Sequence, residues 1–203
     1  MTTSHTADYD VIAVGAGFAG ISLSYHLREA GLNTKIFDHA DDIGGTWTWN
    51  RYPGAATDSE SYYYCLTFSK EVLQEWSWTK RYSGWEETQA YLKFVMDKFS
   101  LWPSFQLSTE VESAEFDNET GLWNVHTGDG KTHTAKYFIS AMGMISQPVI
   151  PNIAGMDSFN GPLFHSSRWP EGLDVAGKRI GIIGAGATTV QMLPEVAKTA
   201  AQV

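Results

Sequence analysis

The sequence predicts an α/β protein, and two observations lead to that fold class. Short apolar runs alternate along the chain with stretches of helical periodicity. In two places, residues 9–14 and 178–183, such a run leads directly into a glycine-rich turn and then into a predicted helix. Strand, glycine turn and helix in this order open a Rossmann-like dinucleotide-binding domain. We therefore expect one Rossmann-like domain and the start of a second.

The predicted elements of the first domain change their period partway along the chain. The early ones are a strand over 9–14, a helix over 18–30, a strand over 34–37 and a helix over 86–99. Residues then alternate with a period of two over 105–116, 122–127 and 132–139, which predicts a β-meander inserted into a three-layer domain. Residues 40–64 follow neither period, and this stretch is too long for a passive connector.

Prolines divide the remainder of the chain. Three of them fall within residues 146–162 and predict a connector between domains. After the strand over 178–183 and its glycine turn, a helical stretch is expected to end at Val203. We therefore expect a domain over 1–143, a linker over 144–176 and the start of a second domain over 177–203.

Composition narrows the functional classes. The 203 residues include 14 Lys or Arg and 23 Asp or Glu, a net charge of −9, so neither nucleic acid nor an anionic membrane is an expected partner. Cys65 is the one cysteine, which excludes a disulfide framework, a Cys-x-x-Cys redox pair and a multi-thiolate metal site, and we expect no metal. The start of the chain is polar, which predicts no signal peptide. No apolar run approaches the roughly 18 residues of a membrane-spanning helix, which predicts no membrane span. We expect a cytoplasmic protein.

The first glycine turn has the full spacing of a dinucleotide site. Gly15, Gly17 and Gly20 form G-x-G-x-x-G directly after a predicted strand. The first glycine allows the tight turn, the second lets a pyrophosphate approach the backbone, and the third lets the helix pack on the strand. Asp38 closes the next strand, about where a carboxylate binds the ribose hydroxyls. A purely structural turn is the alternative.

The second turn repeats the pattern with one change. Thr189 stands where the third glycine belongs, and this β-branched residue is expected to hold the helix slightly off the strand. Two such turns suggest two nucleotides, such as a flavin and a nicotinamide. A plain strand–helix turn is the alternative here.

A segment before the second turn has the spacing F-x-G-x-x-x-H-x-x-x-W-P, formed by Phe159, Gly161, His165, Trp169 and Pro170. This is the fingerprint of type I Baeyer–Villiger monooxygenases, a group of class B flavoprotein monooxygenases, and the whole chain resembles the N-terminal portion of that family. The match extends to the flavin-covering loop at residues 44–55 and to the short turn at 141–143. His165 is expected to be a packed linker residue and not a catalytic base.

The resemblance implies a reaction and a set of site residues. Such enzymes use NADPH to reduce FAD, and a C4a-peroxyflavin formed with O2 then inserts one oxygen atom next to a ketone carbonyl to give an ester or lactone. Asp58 would assist a catalytic arginine, although a loop turn or cap is its alternative role. The implied FAD contacts are Gly15, Gly17, Phe18, Ala19, Gly20, Asp38, Gly45, Thr46, Trp47, Thr48, Asp58, Tyr64, Val111 and Met142. The implied NADP contacts are Ala56, Thr57, Asp58, Ala185, Gly186, Ala187, Thr188, Thr189 and Gln191.

Other functions stay open on the sequence. A related flavin-containing monooxygenase that oxygenates nitrogen or sulfur shares the two-turn plan. A non-catalytic FAD-binding module, completed by a second chain, is a further alternative. The family's chains are longer and its arginine is expected beyond Val203, so we expect these 203 residues alone not to oxygenate a ketone.

Overall fold

The computed structural model describes residues 6–203, and within them it contains one six-stranded sheet. The strands are β1 (Tyr9–Val14), β2 (Thr34–Phe37), β3 (Phe105–Gln106), β4 (Val111–Asp117), β5 (Leu122–Thr127) and β6 (Thr132–Ser140). The α-helices are α1 (Phe18–Glu29), α2 (Thr46–Trp49), α3 (Lys70–Glu75), α4 (Trp85–Lys98) and α5 (Ala187–Val196). Three short 3-10 helices lie at Trp102–Ser104, Met156–Ser158 and Ser166–Arg168.

The sheet combines a parallel and an antiparallel part in the order β3-β2-β1-β6-β5-β4. β3, β2, β1 and β6 are parallel, whereas β4 and β5 add to β6 as an antiparallel meander. The chain leaves β1 through a helix to β2 on one side and returns to β6 on the other. Ligands of such sheets bind beyond the carboxyl ends of the strands at this reversal. The predicted Rossmann-like fold with a β-meander is confirmed.

The two faces of the sheet bury alternate residues of the same strands. Ala13 of β1 and Ile36 of β2 are fully buried on the side of α1 and α4, in a core that includes Tyr91 and Leu92. Their neighbours in sequence point the other way, because side chains alternate along a strand. Ile12 and Phe37 pack there with Val125 and Ala135 of the meander. The parallel strands are therefore covered by helices on one face and by side chains of the meander on the other.

The predicted strand over 105–116 is two strands in the structure. β3 pairs with β2 in the parallel part, and β4 pairs with β5 in the meander. Ser108, between them, has a positive φ of 51°, and the Thr109 N–H donates to the Asp38 carbonyl at 2.9 Å. The chain turns at this point, which a period of two does not reveal. The short helices α2 and α3 were also not predicted.

Two predictions for the last 26 residues are wrong. Residues 178–183 form only an isolated bridge, from Arg179 to Gln202, and not a strand. α5 ends at Val196 and not at Val203. Both differences arise where the backbone turns back after α5: Ala201 N–H donates to the Lys178 carbonyl and Ile180 N–H to the Gln202 carbonyl, both at 2.9 Å. This turn ends the helix, and the short contact it makes is too limited a pairing for residues 178–183 to form a strand.

Gly20 lies where the backbone of α1 passes very close to the backbone at the end of β1. A Cβ atom at this position would be 1.9 Å from the Gly15 carbonyl oxygen, so the helix packs directly on the strand backbone.

We expect Gly20→Ala to lower the free energy of unfolding by about 1–3 kcal/mol, because the helix has to move away from the strand. Urea unfolding of the purified protein measures the loss. Gly181→Ala is the matched control, because a Cβ there meets no atom within 4 Å. Equal losses in the two variants would contradict this explanation.

Candidate functional site

Three hydrogen bonds hold the turn after β1 in place. Gly15 N–H donates to the Phe37 carbonyl at 2.8 Å, and Ala16 N–H donates to Asp38 Oδ2 at 2.6 Å. The Ala16 carbonyl accepts the Gly44 N–H at 2.9 Å. The turn is therefore tied both to the end of β2 and to the loop that leads into α2.

The first residues of α1 and α2 meet at two glycines. Gly17 precedes α1 and Gly45 precedes α2, and a Cβ on Gly45 would lie 3.1 Å from the Gly17 Cα. No side chain of the described residues caps either helix. The N–H groups in the first turn of α1 have no partner within the helix. In α2, by contrast, the N–H groups of Trp47 and Thr48 donate to the carbonyls of Gly44 and Gly45 at 3.2 and 3.0 Å. The two glycines therefore border a cradle whose free backbone donors come mainly from α1. We call Gly15–Gly20 with Gly44–Thr48 the glycine cradle.

Asp38 lies at the edge of the glycine cradle and is nearly fully buried. Besides the Ala16 N–H, its carboxylate accepts the Ala40 N–H at 2.9 Å on Oδ1. Each carboxylate oxygen accepts more than one hydrogen bond, so these contacts leave capacity for ribose hydroxyls. Val111 is close in the fold, because it begins β4 two residues after Thr109, which donates to the Asp38 carbonyl. The structure brings these two predicted residues to one edge.

Aromatic side chains form a second wall. Phe18 of α1 contacts Tyr64 edge to face, with ring centroids 4.8 Å apart. Buried Trp47 donates from its indole N–H to the Tyr64 hydroxyl at 3.2 Å. Burial raises the pKa of Tyr64, the hydrogen bond from Trp47 opposes this, and the negative charge of Asp58 raises the pKa further. The phenol therefore stays protonated at neutral pH, and the predicted residues Phe18, Trp47, Asp58 and Tyr64 lie together.

Four other predicted flavin residues differ in their surroundings. Thr48 donates from its hydroxyl to the Ile43 carbonyl at 2.8 Å, so this side chain shapes the loop. Thr46 opens α2 beside Gly45, and Ala19 is exposed in the first turn of α1. Met142 follows the Ala141 carbonyl, which lies against Gly15, and its own side chain is 54% exposed.

The loop over residues 52–57 carries two predicted NADP residues. Thr57 is buried, and its hydroxyl oxygen has no hydrogen-bond partner among the residues that the structure describes. Ala56 forms an isolated antiparallel bridge with Gly84. Asp58 follows directly and is exposed.

The second glycine turn is more open than the first. Gly184 has a φ of +126°, and Gly186 precedes α5 without a side-chain cap from the described residues. A Cβ on Gly186 meets no atom within 4 Å. The Thr189 hydroxyl donates to the Gly184 carbonyl at 3.1 Å. In the first turn the corresponding residue is Gly20, whose backbone lies directly against the Gly15 carbonyl. Ala185, Gly186 and Ala187 are exposed, whereas Thr188 and Thr189 are half-buried.

The fingerprint residues surround a 3-10 turn. His165 accepts the Ser167 N–H on Nδ1 at 3.2 Å and thereby caps this turn, in agreement with a packed linker role. Trp169 contacts Phe164 edge to face at 5.3 Å and packs on the buried cluster beneath α5. Phe159 covers Gly161 with its ring, while Pro170 is exposed.

Sequence reasoning missed one contact of the fingerprint segment. The Arg168 guanidinium lies 4.2 Å from the centroid of the Trp49 ring, and His39 stacks on Trp49 at 4.9 Å. His39 Nδ1 is 3.5 Å from Asp38 Oδ1. The fingerprint thus reaches the edge of the glycine cradle through a cation–π contact. No spacing rule signals it, because the partners are far apart in sequence.

Within residues 6–203, no helix is both long enough and apolar enough to span a bilayer.

The Tyr64 environment gives a test of the site geometry. Asp58→Asn is expected to lower the pKa of Tyr64, because it removes a nearby negative charge that disfavours the phenolate. Trp47→Phe is expected to raise the same pKa, because the indole N–H stabilises the phenolate.

NMR titration of protein labelled at tyrosine 13Cζ measures both shifts, with Tyr64→Phe to assign the resonance. Asp157→Asn, at an exposed position of the linker, is the charge-matched control. A Tyr64 pKa unchanged by Asp58→Asn would place Asp58 away from this cluster.

Two curated relatives match nearly all of the chain. A Baeyer-Villiger monooxygenase from Pseudooceanicola batsensis is 45% identical over 195 residues, which are 96% of this chain and 36% of that protein. The phenazine N-monooxygenase PhzNO1 from Lysobacter antibioticus is 42% identical over 201 residues, 98% of this chain and 37% of that protein. The chain therefore spans little more than a third of the length of these relatives.

A solved structure and a family model agree with the fold. The crystal structure of cyclohexanone monooxygenase from Rhodococcus sp. Phi1 bound to NADP+ is similar with a TM-score of 0.91 at 41% identity, covering 95% of this chain and 36% of that one. The family model described as flavin-binding monooxygenase-like matches residues 9–203. This chain belongs to the flavin-binding monooxygenase-like family.

Proposed function

We propose that this chain is part of an FAD- and NADPH-dependent monooxygenase that inserts one oxygen atom of O2 beside a ketone carbonyl, giving an ester or lactone. The observation that carries the proposal is the glycine cradle, where the uncapped starts of α1 and α2 meet at Gly17 and Gly45. The 45% identity to a Baeyer-Villiger monooxygenase supports the reaction class.

The cradle fits the pyrophosphate of a flavin dinucleotide. A Cβ on Gly17 would enter the space beside Gly45, so glycine keeps this space free for a ligand. Free backbone N–H groups and the positive end of α1 favour phosphate there. Asp38 and Val111 lie at the same edge, where an adenine ribose would follow the pyrophosphate. A flavin bound by a dinucleotide turn of this kind is FAD, because FMN lacks the adenosine half.

We propose that a second nucleotide binds at the second glycine turn, beside the 52–57 loop. The backbone of Ala185–Ala187 is exposed and begins α5. NADP+ bound to the similar cyclohexanone monooxygenase supports NADPH as this nucleotide. We propose on this basis a flavin domain over 1–143, a linker over 144–176 and the start of a nucleotide domain over 177–203.

The side chains of the site have separable tasks in such a reaction. FAD, once reduced by NADPH, supplies the activation of O2. Trp47, Phe18 and Tyr64 form an aromatic wall that limits access of water from that side. Tyr64 retains its proton and so remains a neutral donor. Exposed Asp58 acts electrostatically on this wall and would hold the cation that stabilises a developing oxyanion.

Oxygenation of nitrogen is the second candidate function. The phenazine N-monooxygenase is 42% identical over 201 residues, almost as similar as the Baeyer-Villiger relative. The composition leads us to propose a cytoplasmic location. The similarity to a Baeyer-Villiger monooxygenase leads us to propose O2 and a small ketone as the other reactants.

The purified whole protein that contains this chain is expected to retain FAD and to oxidise NADPH faster when a ketone is present. With 18O2, one labelled atom is expected in the ester, measured by gas chromatography and mass spectrometry. Phenazine, a tertiary amine and a sulfide form parallel assays. An N-oxide without any ester would favour the second candidate, and FAD retention without NADPH oxidation would favour a non-catalytic module.

Gly17→Ala is expected to weaken FAD binding by about tenfold or more, because the added methyl group occupies the cradle. The fold is expected to remain, since a Cβ at Gly17 would lie 3.5 Å from the Gly45 Cα, which is an ordinary van der Waals contact. Titration of apoprotein with FAD, followed by flavin fluorescence, measures the affinity. Gly181→Ala is the control, and unchanged affinity in Gly17→Ala would contradict a pyrophosphate at this position.

A further inference from the structure

The side chain of Gln191 is engaged with the flavin side of the molecule and not with its own glycine turn. Its amide N–H donates to the Ala56 carbonyl at 2.9 Å, and its Oε1 accepts the Ala56 N–H at 3.4 Å. The same oxygen accepts the Tyr52 hydroxyl at 2.8 Å. One side-chain amide therefore pairs with both polar groups of one backbone residue, as a neighbouring strand would.

Close packing surrounds these hydrogen bonds. Gly54 has a φ of +79°, and a Cβ there would be 2.6 Å from the Gln191 carbonyl oxygen, so the loop lies directly on the backbone of α5. Tyr52 and Ala55 of the loop are buried together with Met192 and Val196 of the helix. An interface packed in this way resists sliding, because a shift would open voids or force overlap.

The far side of the loop is fixed as well. Thr57 N–H donates to the Ser83 carbonyl at 2.9 Å, and Trp85 N–H donates to the Ala55 carbonyl at 3.0 Å. The loop is thus held between the start of α4 and the side of α5. Asp58 follows Ala56 by two residues, so the position of its backbone depends on both attachments.

We propose that Gln191 is a positioning residue: it fixes the Ala56 peptide and thereby sets Thr57 and Asp58 relative to the second glycine turn. This proposal rests on the proposed function. It replaces the expectation that the Gln191 amide lines the NADP pyrophosphate. The partner in this arrangement is Tyr52, whose hydroxyl holds the Gln191 amide oxygen in place.

Binding of phosphate and positioning of the loop, the two roles considered for Gln191, affect different constants: the NADPH dissociation constant or the rate of flavin reduction. A phosphate ligand contributes to binding, so its loss raises the dissociation constant of NADPH and leaves the reduction rate of bound flavin nearly unchanged. A residue that positions the loop acts on the geometry of the reacting groups, and a displacement of about 1 Å can slow a reaction about a hundredfold. Measuring both the flavin reduction rate and the NADPH affinity therefore distinguishes the two roles of Gln191.

The test compares Gln191→Leu and Tyr52→Phe with the unaltered whole protein, and uses Gln74→Leu on the exposed face of α3 as the matched control. Stopped-flow reduction by NADPH is expected to slow about tenfold or more in Gln191→Leu, with the NADPH dissociation constant within about twofold. Tyr52→Phe is expected to slow it less, and to add nothing in the Gln191→Leu background. Visible circular dichroism of bound FAD is expected to change in both variants and not in the control.

Hydrogen–deuterium exchange gives a readout that needs neither nucleotide. Amides within residues 50–58 are expected to exchange faster in Gln191→Leu and, to a smaller extent, in Tyr52→Phe. Unchanged exchange there in both variants overturns the proposal, as does a raised NADPH dissociation constant at an unchanged reduction rate. If the unaltered protein retains no FAD, the proposed function fails, while the exchange result still decides the contact between Gln191 and Ala56.

Discussion

At Gly15 the backbones of β1, β6 and α1 meet with no side chain between them. A Cβ at Gly15 would lie 2.4 Å from the Ala141 carbonyl oxygen, and one at Gly20 would lie 1.9 Å from the carbonyl oxygen of Gly15. This close approach fixes the start of α1 directly over the reversal point of the sheet. The direction of the helix, and hence the region where its free N–H groups act, follows from the contact. Asp38 and Gly44 then complete the arrangement by binding the two polar groups of Ala16.

Because the chain is acidic, backbone N–H donors are the main groups in the cradle that could bind a phosphate. The net charge is −9, and neither residues 15–20 nor residues 44–48 include a lysine or arginine. An anionic pyrophosphate in the cradle would therefore be held by backbone N–H groups and the start of α1, whose attraction acts over a short distance. Asp38 is compatible with that site because its carboxylate is bound by two backbone N–H groups. The same carboxylate that shapes the turn also limits which part of a nucleotide can lie beside it, favouring hydroxyls over phosphate.

Local features of the fold could be predicted from the sequence, and contacts distant in sequence could not. β1, β2 and β5 have the predicted bounds, and the first glycine turn lies where expected, because strand, turn and helix are all encoded within about 20 residues. The strand over 178–183 was wrong because a strand also needs a paired neighbour, and within the described residues only the chain near Gln202 lies beside it. The Arg168–Trp49 and Gln191–Ala56 contacts leave no periodic trace, since each joins segments more than about 100 residues apart.

The two proposed reactions, ketone and nitrogen oxygenation, would place the same demands on this part of the molecule. The Baeyer-Villiger and phenazine relatives are 45% and 42% identical to nearly the same residues, although their names describe different substrates. Under the proposed function both would begin with reduction of one nucleotide by another, which requires the two nucleotides to be held in one geometry. In this chain the segments proposed to contact the two nucleotides meet at the interface of the 52–57 loop and α5, where Gly54 admits no side chain. Similarity between enzymes of different substrate is therefore expected to be high at this interface, because a displacement here would impair hydride transfer whichever substrate accepts the oxygen.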